Sequence, residues 1–473
     1  MRYLSTRDPR PSPSTLSFTE ALLGGLADDG GLYVPDRLPV LSVATLRDYA
    51  GLPYAELAAR VVSLFAGETF ATDELRQLTV AAYSSFNRAA VVPLVQLDER
   101  LWLLELFHGP TLAFKDLALQ LVGQMFDAVL ARRHEHITVV GATSGDTGSA
   151  ALEACRDREA IDIFMLFPHN RVSEIQRRQM TTVDSSNAHA IAIEGTFDDC
   201  QDLVKALFAD AKLRCTLNLS AVNSINWARI AAQTVYYFAA GVALGAPARP
   251  ISFSVPTGNF GNVYAGHIAR RMGLPIDRLV IGTNRNDILA RYFATGQMVI
   301  APVEPSFTPS MDIQVSSNFE RLLFELKGRS GAAVGEVMRL FRQNGRMRED
   351  DQGWRTARRL FSTHKVDDTH TMDTIAETYA RSGLLIDPHT AIAVAAAQTE
   401  ISAGNASASM IALACAHPAK FPDVVERATG LRPVLPAALS DILERRERLV
   451  VLPNDLGAVT RFIRARARRA GNS

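Results

Sequence analysis

From Ile137 onward, short continuous apolar runs alternate with stretches of helical spacing, and this alternation restricts the possible folds more than any other feature of the chain. ITVVGA at 137–142 and IDIFMLFP at 161–168 offer no polar face to water. Such strands must be covered on both sides, which calls for a parallel sheet with helices on both faces. Helical spacing at 149–156, 172–180 and 197–211 supplies that cover, and 188–194 reads as a further strand. A short strand near 217–221 and a long helix over 225–244 follow. A second strand group opens with ISFSVP at 251–256, and RLVIGTN from Arg278 completes a βαβ unit around a helix at 261–272. Between about 302 and 371 the rhythm weakens; the charge-rich MREDDQGWRTARR predicts a solvated helical insertion. It resumes with a helix at 388–401, the strand SMIALACA ending at Ala416, and a helix at 422–429. The expectation is an α/β chain of two doubly wound sheet domains, a smaller one over 96–224 and a larger one over 225–473. A packed amino-terminal extension over 1–95 precedes them, containing a helix at 18–25.

A chain of 473 residues with 47% hydrophobic composition can bury more than one large core. Lys plus Arg and Asp plus Glu number 50 each, so no global field draws in nucleic acid or an acidic membrane; an anionic ligand needs a local site. The basic tail FIRARARRAGNS reads as a solvated helix end. Four cysteines without CxxC spacing indicate free thiols. The amino terminus lacks an apolar signal core and no run of about eighteen apolar residues occurs, so a cytoplasmic protein without membrane spans is expected. His134 and His136 flank Glu135 without HExxH spacing, and His389 and His417 adjoin prolines; no metal site is expected. His108 is near enough to Lys115 to line a cleft, without a catalytic role.

Four stretches carry candidate chemistry. In HGPTLAFKDLALQ, from His108 to Gln120, Lys115 stands where a Pro-containing loop gives way to apolar residues at Leu117, Leu121, Val122, Met125, Phe126, Val129 and Leu130, one face of a helix. At such a helix start, both the macrodipole and desolvation disfavour an ammonium and leave an amine able to form a Schiff base. The same residues also allow a surface lysine paired with Asp116. PTGNFGN, from Pro256, follows a strand and precedes a helix; its glycines let backbone N–H groups wrap a phosphate, or simply make a turn. NSINWARI sets Asn223 and Ser224 about a turn before Arg229, a set suited to a second phosphate or, equally, to a helix cap with an exposed arginine. ATSGDTGSAA, from Ala142, is another strand-to-helix turn, and without Gly-Lys-Ser/Thr it is no Walker A loop.

HGPTLAFKD resembles the cofactor-lysine segment of threonine synthases. YLSTR, GLADDGGLYVP, ATSGDTGSAA, NSINWARI, PTGNFGN and AHPAKFP resemble segments of the same family in the same order, over nearly the whole chain. The resemblance implies the fold-type-II scaffold of pyridoxal 5'-phosphate enzymes. It also implies conversion of O-phospho-L-homoserine and water to L-threonine and phosphate by γ-elimination and β-hydration. Lys115 is then the residue that holds the cofactor and, once freed, moves protons at Cα and Cβ. The cofactor phosphate falls to Gly258, Asn259, Phe260, Gly261 and Asn262. Thr143, Ser144, Gly145, Asp146 and Thr147 correspond to the loop that binds the substrate's α-carboxylate, with Asp146 where many relatives carry an asparagine facing the ring hydroxyl. Asn223, Ser224 and Arg229 correspond to the pocket for the substrate phosphate. Cys415 occupies the place of a threonine that usually meets the pyridine nitrogen, and a thiol is the weaker hydrogen-bond partner there. The resemblance leaves room for the extension to cover one side of the cleft. Kept beside this reading are a serine/threonine dehydratase or phospho-lyase on the same scaffold, and a relative that binds cofactor or metabolite without catalysis. A monomer or homodimer acting on a small molecule is expected.

Overall fold

The computed structural model describes residues 1–221, 224–405 and 409–468. Two main sheets organise it. In the larger, the strands run in the order Phe361–Lys365, Ile276–Thr283, Ile251–Pro256, Ser409–Ala414, Leu101–Glu105 and Leu94–Gln96. All neighbours are parallel except the last, antiparallel pair. The smaller sheet is wholly parallel, in the order Leu449–Pro453, Ala188–Glu194, Ile161–Pro168, Ile137–Ala142 and Leu219–Ser220. Every residue of Ile161–Pro168 and of Ile251–Pro256 is buried, as their unbroken apolar character requires. Strand membership crosses the divisions expected at 95 and 224: Leu101–Glu105 lies in the larger sheet, while Leu449–Pro453 returns from the far end of the chain to the smaller one.

Three expectations need correction. The region 302–371 is not simply a solvated helical insertion. It contributes the edge strand Phe361–Lys365 to the larger sheet and pairs Gln297–Val299 with Arg346–Arg348. Its helix Phe319–Leu326 also buries Phe319, Glu320, Arg321, Leu322, Leu323 and Phe324. The strand expected over 217–221 shrinks to Leu219–Ser220, because helix Ala211–Leu217 runs up to Asn218, whose left-handed backbone (φ 45°) ends it. The long helix begins not at 225 but at Trp227, where the Asn226 side chain accepts from the Ala228 N–H.

The extension packs as a layer of helices, among them Tyr54–Ala66 and Thr72–Tyr83, over helices Trp227–Ala243 and Lys115–Arg133. Tyr3, Phe18, Phe65 and Trp227 share one apolar core with residues of both sheets. Its backbone also reaches towards the site, since Asn226 Nδ2 donates to Leu22 O at 2.7 Å. Among the described residues no helix is long and apolar enough to cross a membrane.

Candidate active site

Helix Lys115–Arg133 starts at Lys115 itself and buries all seven of the expected face residues. Asp116, the second residue of the helix, folds back to accept from Thr111 N at 2.8 Å and Thr111 Oγ1 at 2.6 Å, which closes the preceding loop. Burial raises the Asp116 carboxyl to about 6, against those hydrogen bonds. Backbone bonds from Phe114 N to Cys415 O (2.8 Å) and from His417 N to Leu112 O (3.0 Å) stitch the loop to the end of strand Ser409–Ala414. Lys115 is thereby held inside the protein, 9% exposed, rather than on the surface with Asp116 as its partner. Its Nζ lies 3.2 Å from Asp146 Oδ2. Burial pushes the Lys115 ammonium down towards the free amine; Asp146 opposes that, and the nearby charges of Lys420 and Arg229 add to it.

Asp146 opens helix Asp146–Cys155, which gives a carboxylate the favourable end of the macrodipole. Burial penalises its charge, but Lys115 and Lys420, with hydrogen bonds from Lys420 and Gln176, overcome the penalty and hold the carboxyl well below its usual range. Gly145 turns the chain at φ 137°, and a Cβ there would stand 2.4 Å from the Gln176 side chain. Thr143 Oγ1 accepts from the N–H groups of Gly145 and Gly148, so its oxygen closes the turn. Ser144 and Thr147 are half-buried.

The second strand-to-helix turn, after Ile251–Pro256, passes through Phe260 in the left-handed region (φ 64°) into helix Gly261–Arg271. The first N–H groups of any helix have no acceptor within it and point off its end, a natural seat for a phosphate. The 302–371 region forms a collar around this turn. Ser316 Oγ donates to Gly258 O at 2.7 Å and Asn318 Nδ2 to Asn259 O at 3.1 Å, while Phe260 packs edge-on to Phe319. A Cβ on Gly258 would lie 3.0 Å from the Ser310 carbonyl oxygen. Tyr236 and Tyr237 donate to Asn262 Oδ1 at 2.6 and 3.0 Å, and Asn262 Nδ2 donates to the Cys415 sulfur at 3.8 Å. Burial pushes the Cys415 thiol far up, so it stays protonated. The turn is tied to Lys115 twice over: through Cys415, and through Ser310, whose Oγ lies 3.4 Å from Asp146 Oδ2.

Arg229 sits in the first turn of helix Trp227–Ala243 and is 3% exposed. Its Nε and Nη1 have no hydrogen-bond partner among the described residues. Burial lowers it to about 10, which still leaves a full charge at neutral pH. A buried guanidinium without a counter-charge is costly, so the position suits an anion brought by a ligand. The arginine is therefore not the exposed one that a plain helix cap would leave, and the capping falls to Asn226. Ser224 offers its carbonyl oxygen to Asn318 Nδ2 at 3.1 Å. Asn223 lies outside the described residues. His108 is held by Glu105 and Asn87 at 2.7 and 3.1 Å.

The sequence reading passed over several participants. Lys420, in AHPAKFP, is fully buried with its Nζ 2.9 Å from Asp146 Oδ1. Gln176 Nε2 donates to the same oxygen at 2.9 Å. Ser310, Ser316 and Asn318 come from the region read as solvated. Only Lys420 carried a signal, as a charged residue within an otherwise apolar, Pro-punctuated motif. Together these groups suit a phosphorylated aldehyde such as pyridoxal phosphate: a buried amine to bond the aldehyde, and a glycine-lined helix start for the phosphate.

Comparison with known proteins agrees along nearly the entire chain. The family described as threonine synthase N terminus matches residues 2–83, that of pyridoxal-phosphate dependent enzymes 88–339, and that of threonine synthase, C-terminal, 390–463. Threonine synthase of Pseudomonas aeruginosa is 53% identical over 98% of both chains, and that of Saccharomyces cerevisiae 42% identical over 90% of this chain and 88% of its own. The crystal structure of PLP-bound threonine synthase from Brucella melitensis superposes with a TM-score of 0.95 at 49% identity, covering 99% of this chain and 100% of that one. Fold, turn geometry and identity of this extent together place the chain in the threonine synthase family of pyridoxal-phosphate-dependent enzymes.

Proposed function

We propose that this chain converts O-phospho-L-homoserine and water to L-threonine and phosphate, using pyridoxal phosphate. The observation that carries the proposal is the convergence of two buried cations with different surroundings. Lys115, beside Asp146, is biased towards a free amine, and Arg229, without a carboxylate partner among the described residues, keeps its charge. One suits proton transfer and the other an anion.

When present, the cofactor would supply an electron sink: once carried over from Lys115 to the substrate's amine, it would acidify the protons at Cα and Cβ. The turn Gly258, Asn259, Phe260, Gly261 and Asn262 would hold its phosphate with backbone N–H groups. Cys415, bonded to Asn262, would be the neutral partner of the pyridine nitrogen. The helix start at 143–147 receives the substrate's α-carboxylate, with Ser144 and Thr147 on its open side. Arg229, with Ser224 and Asn223, holds the substrate's phosphoryl group and keeps Cγ oriented for departure of phosphate. Lys115, freed from the cofactor, would take one proton from Cα and one from Cβ as phosphate departs from Cγ, deliver one to Cγ to complete the methyl group, and return the other to Cα after water adds its hydroxyl at Cβ, the remaining proton of that water leaving with the phosphate.

A paired assay of phosphate release and threonine formation from O-phospho-L-homoserine tests this directly. The wild-type chain should produce both in equal amounts, and Lys115→Ala should produce neither and lose the visible absorbance of the lysine-bound cofactor. Turnover by a folded Lys115→Ala variant would overturn the role of Lys115, and oxo-acid and ammonia formed from serine or threonine in place of phosphate release would overturn the proposal in favour of the dehydratase reading.

A further inference from the structure

The Asp146 carboxylate is shared unequally between two buried lysines. Oδ1 has Lys420 Nζ at 2.9 Å and Gln176 Nε2 at 2.9 Å; Oδ2 has Lys115 Nζ at 3.2 Å and Ser310 Oγ at 3.4 Å. Lys420 is fully buried and its remaining bonds are also made, to Thr111 O at 2.8 Å and Gln179 Oε1 at 2.9 Å. With three donors each assigned, that ammonium cannot rotate to serve another partner. It also spans three segments that meet at the site. These are the loop leading into Lys115, the helix Glu174–Thr181 bearing Gln179, and the turn at Asp146.

We infer that Lys420 is a positioning residue acting through Asp146: it fixes that carboxylate and takes up most of its charge, which leaves the Lys115 nitrogen free for the cofactor. The inference rests on the assignment of Lys115 proposed above. Without Lys420, Lys115 would be the sole cation on Asp146, and a buried ion pair at about 3 Å would hold the ammonium strongly. The charged groups around Lys115 are Asp146, Lys420 and Arg229. Those within reach of Lys420 also include Asp116 and His417. Of these, Lys420 is the cation on the same carboxylate as Lys115. Its effect on the lysine is therefore both direct, by like-charge repulsion, and indirect, through Asp146.

The experiment is a spectrophotometric pH titration of the holoenzyme, following the visible band of the cofactor bound to Lys115. Lys420→Gln keeps a hydrogen-bond donor and removes the charge, so the midpoint should rise by at least about one pH unit, a tenfold gain in proton affinity. The acid limb of kcat/KM should move the same way. Lys420→Arg keeps the charge and should titrate within about half a unit of wild type. Asp146→Asn combined with Lys420→Gln removes both charges and should return the midpoint towards wild type or below. An unmoved midpoint in Lys420→Gln overturns the inference, as does an equal shift in the Gln and Arg variants, which would mark a structural role. If Lys420→Gln does not fold, a shift larger than half a unit in Lys420→Arg still overturns it. Failure of the earlier proposal is distinguishable: there Lys115→Ala would keep its band, whereas here the band persists and only its titration decides.

Discussion

At the scale of single residues, Arg229 separates function from stability. Among the described residues no acceptor meets its buried Nε and Nη1, which costs folding energy, and under the proposed function a dianionic phosphate beside it would recover that energy on binding. Arg229→Ala should thus lower kcat/KM for O-phospho-L-homoserine by roughly 100-fold, mostly through KM, in line with about 2–5 kcal/mol for truncating a buried charge partner. The urea midpoint of the ligand-free protein should stay level or rise. A fall in stability with unchanged KM would make the residue structural. The charge was visible in NSINWARI, but its burial was not, because the residue that would settle it, the cap at Asn226, competes in sequence with Asn223 and Ser224. Asp146 shows the same limit. Its place in the turn was legible, whereas the second cation on its carboxylate was not, because Lys420 lies some 270 residues onward.

The elements most faithfully foreseen are the buried central strands. Ile137–Ala142, Ile161–Pro168 and Ile251–Pro256 keep the bounds that their apolar runs set. Those missed are edges: Leu449–Pro453, Phe361–Lys365 and Leu94–Gln96 each present partly exposed residues to solvent. An edge strand with one wet side loses the continuous apolar signature, and a charged sequence such as FSTHK then reads as loop or helix. The strand–turn–helix units were legible as units, and their glycines carry the next test. Gly258→Ala would bring a Cβ to 3.0 Å from Ser310 O and 3.3 Å from Met311 Cα, so the collar must shift outward by a few tenths of an ångström. That displacement loosens the phosphate seat and also Ser310, which touches Asp146. Equilibrium dialysis should show pyridoxal phosphate bound about tenfold more weakly, roughly 1.4 kcal/mol, with little change in thermal unfolding of the apoprotein. Unaltered cofactor affinity would remove the turn from the phosphate site.

Over the whole molecule, the site exists because stretches distant in sequence are locked together, and Arg321 does much of the locking. It is fully buried, and its Nε and Nη2 donate to Tyr33 O at 3.2 and 3.0 Å. Nη2 also donates to Ile225 O at 2.5 Å, and Nη1 to Asn318 Oδ1. One side chain thus joins the amino-terminal extension, the segment before Arg229 and the collar around the phosphate turn. None of this was legible, since an arginine in a charge-rich stretch carries no mark of burial and pattern reading has no access to contacts across 288 residues. The extension is thereby tied to the segment before Arg229 rather than left as an appendage, joined also by Arg7 to Glu320 at 2.6 Å. Arg321→Met keeps the volume and removes the donors to Tyr33 O, Ile225 O and Asn318 Oδ1, at about 1–3 kcal/mol for each hydrogen bond lost. Urea unfolding should show a loss of about 3 kcal/mol or more. Because the segment carrying Ser224 and Ile225 slackens with it, KM for the phosphorylated substrate should rise even in variant enzyme that remains folded at low temperature. If stability falls while KM holds, the extension supports the fold alone and the substrate side must be positioned by the collar without it.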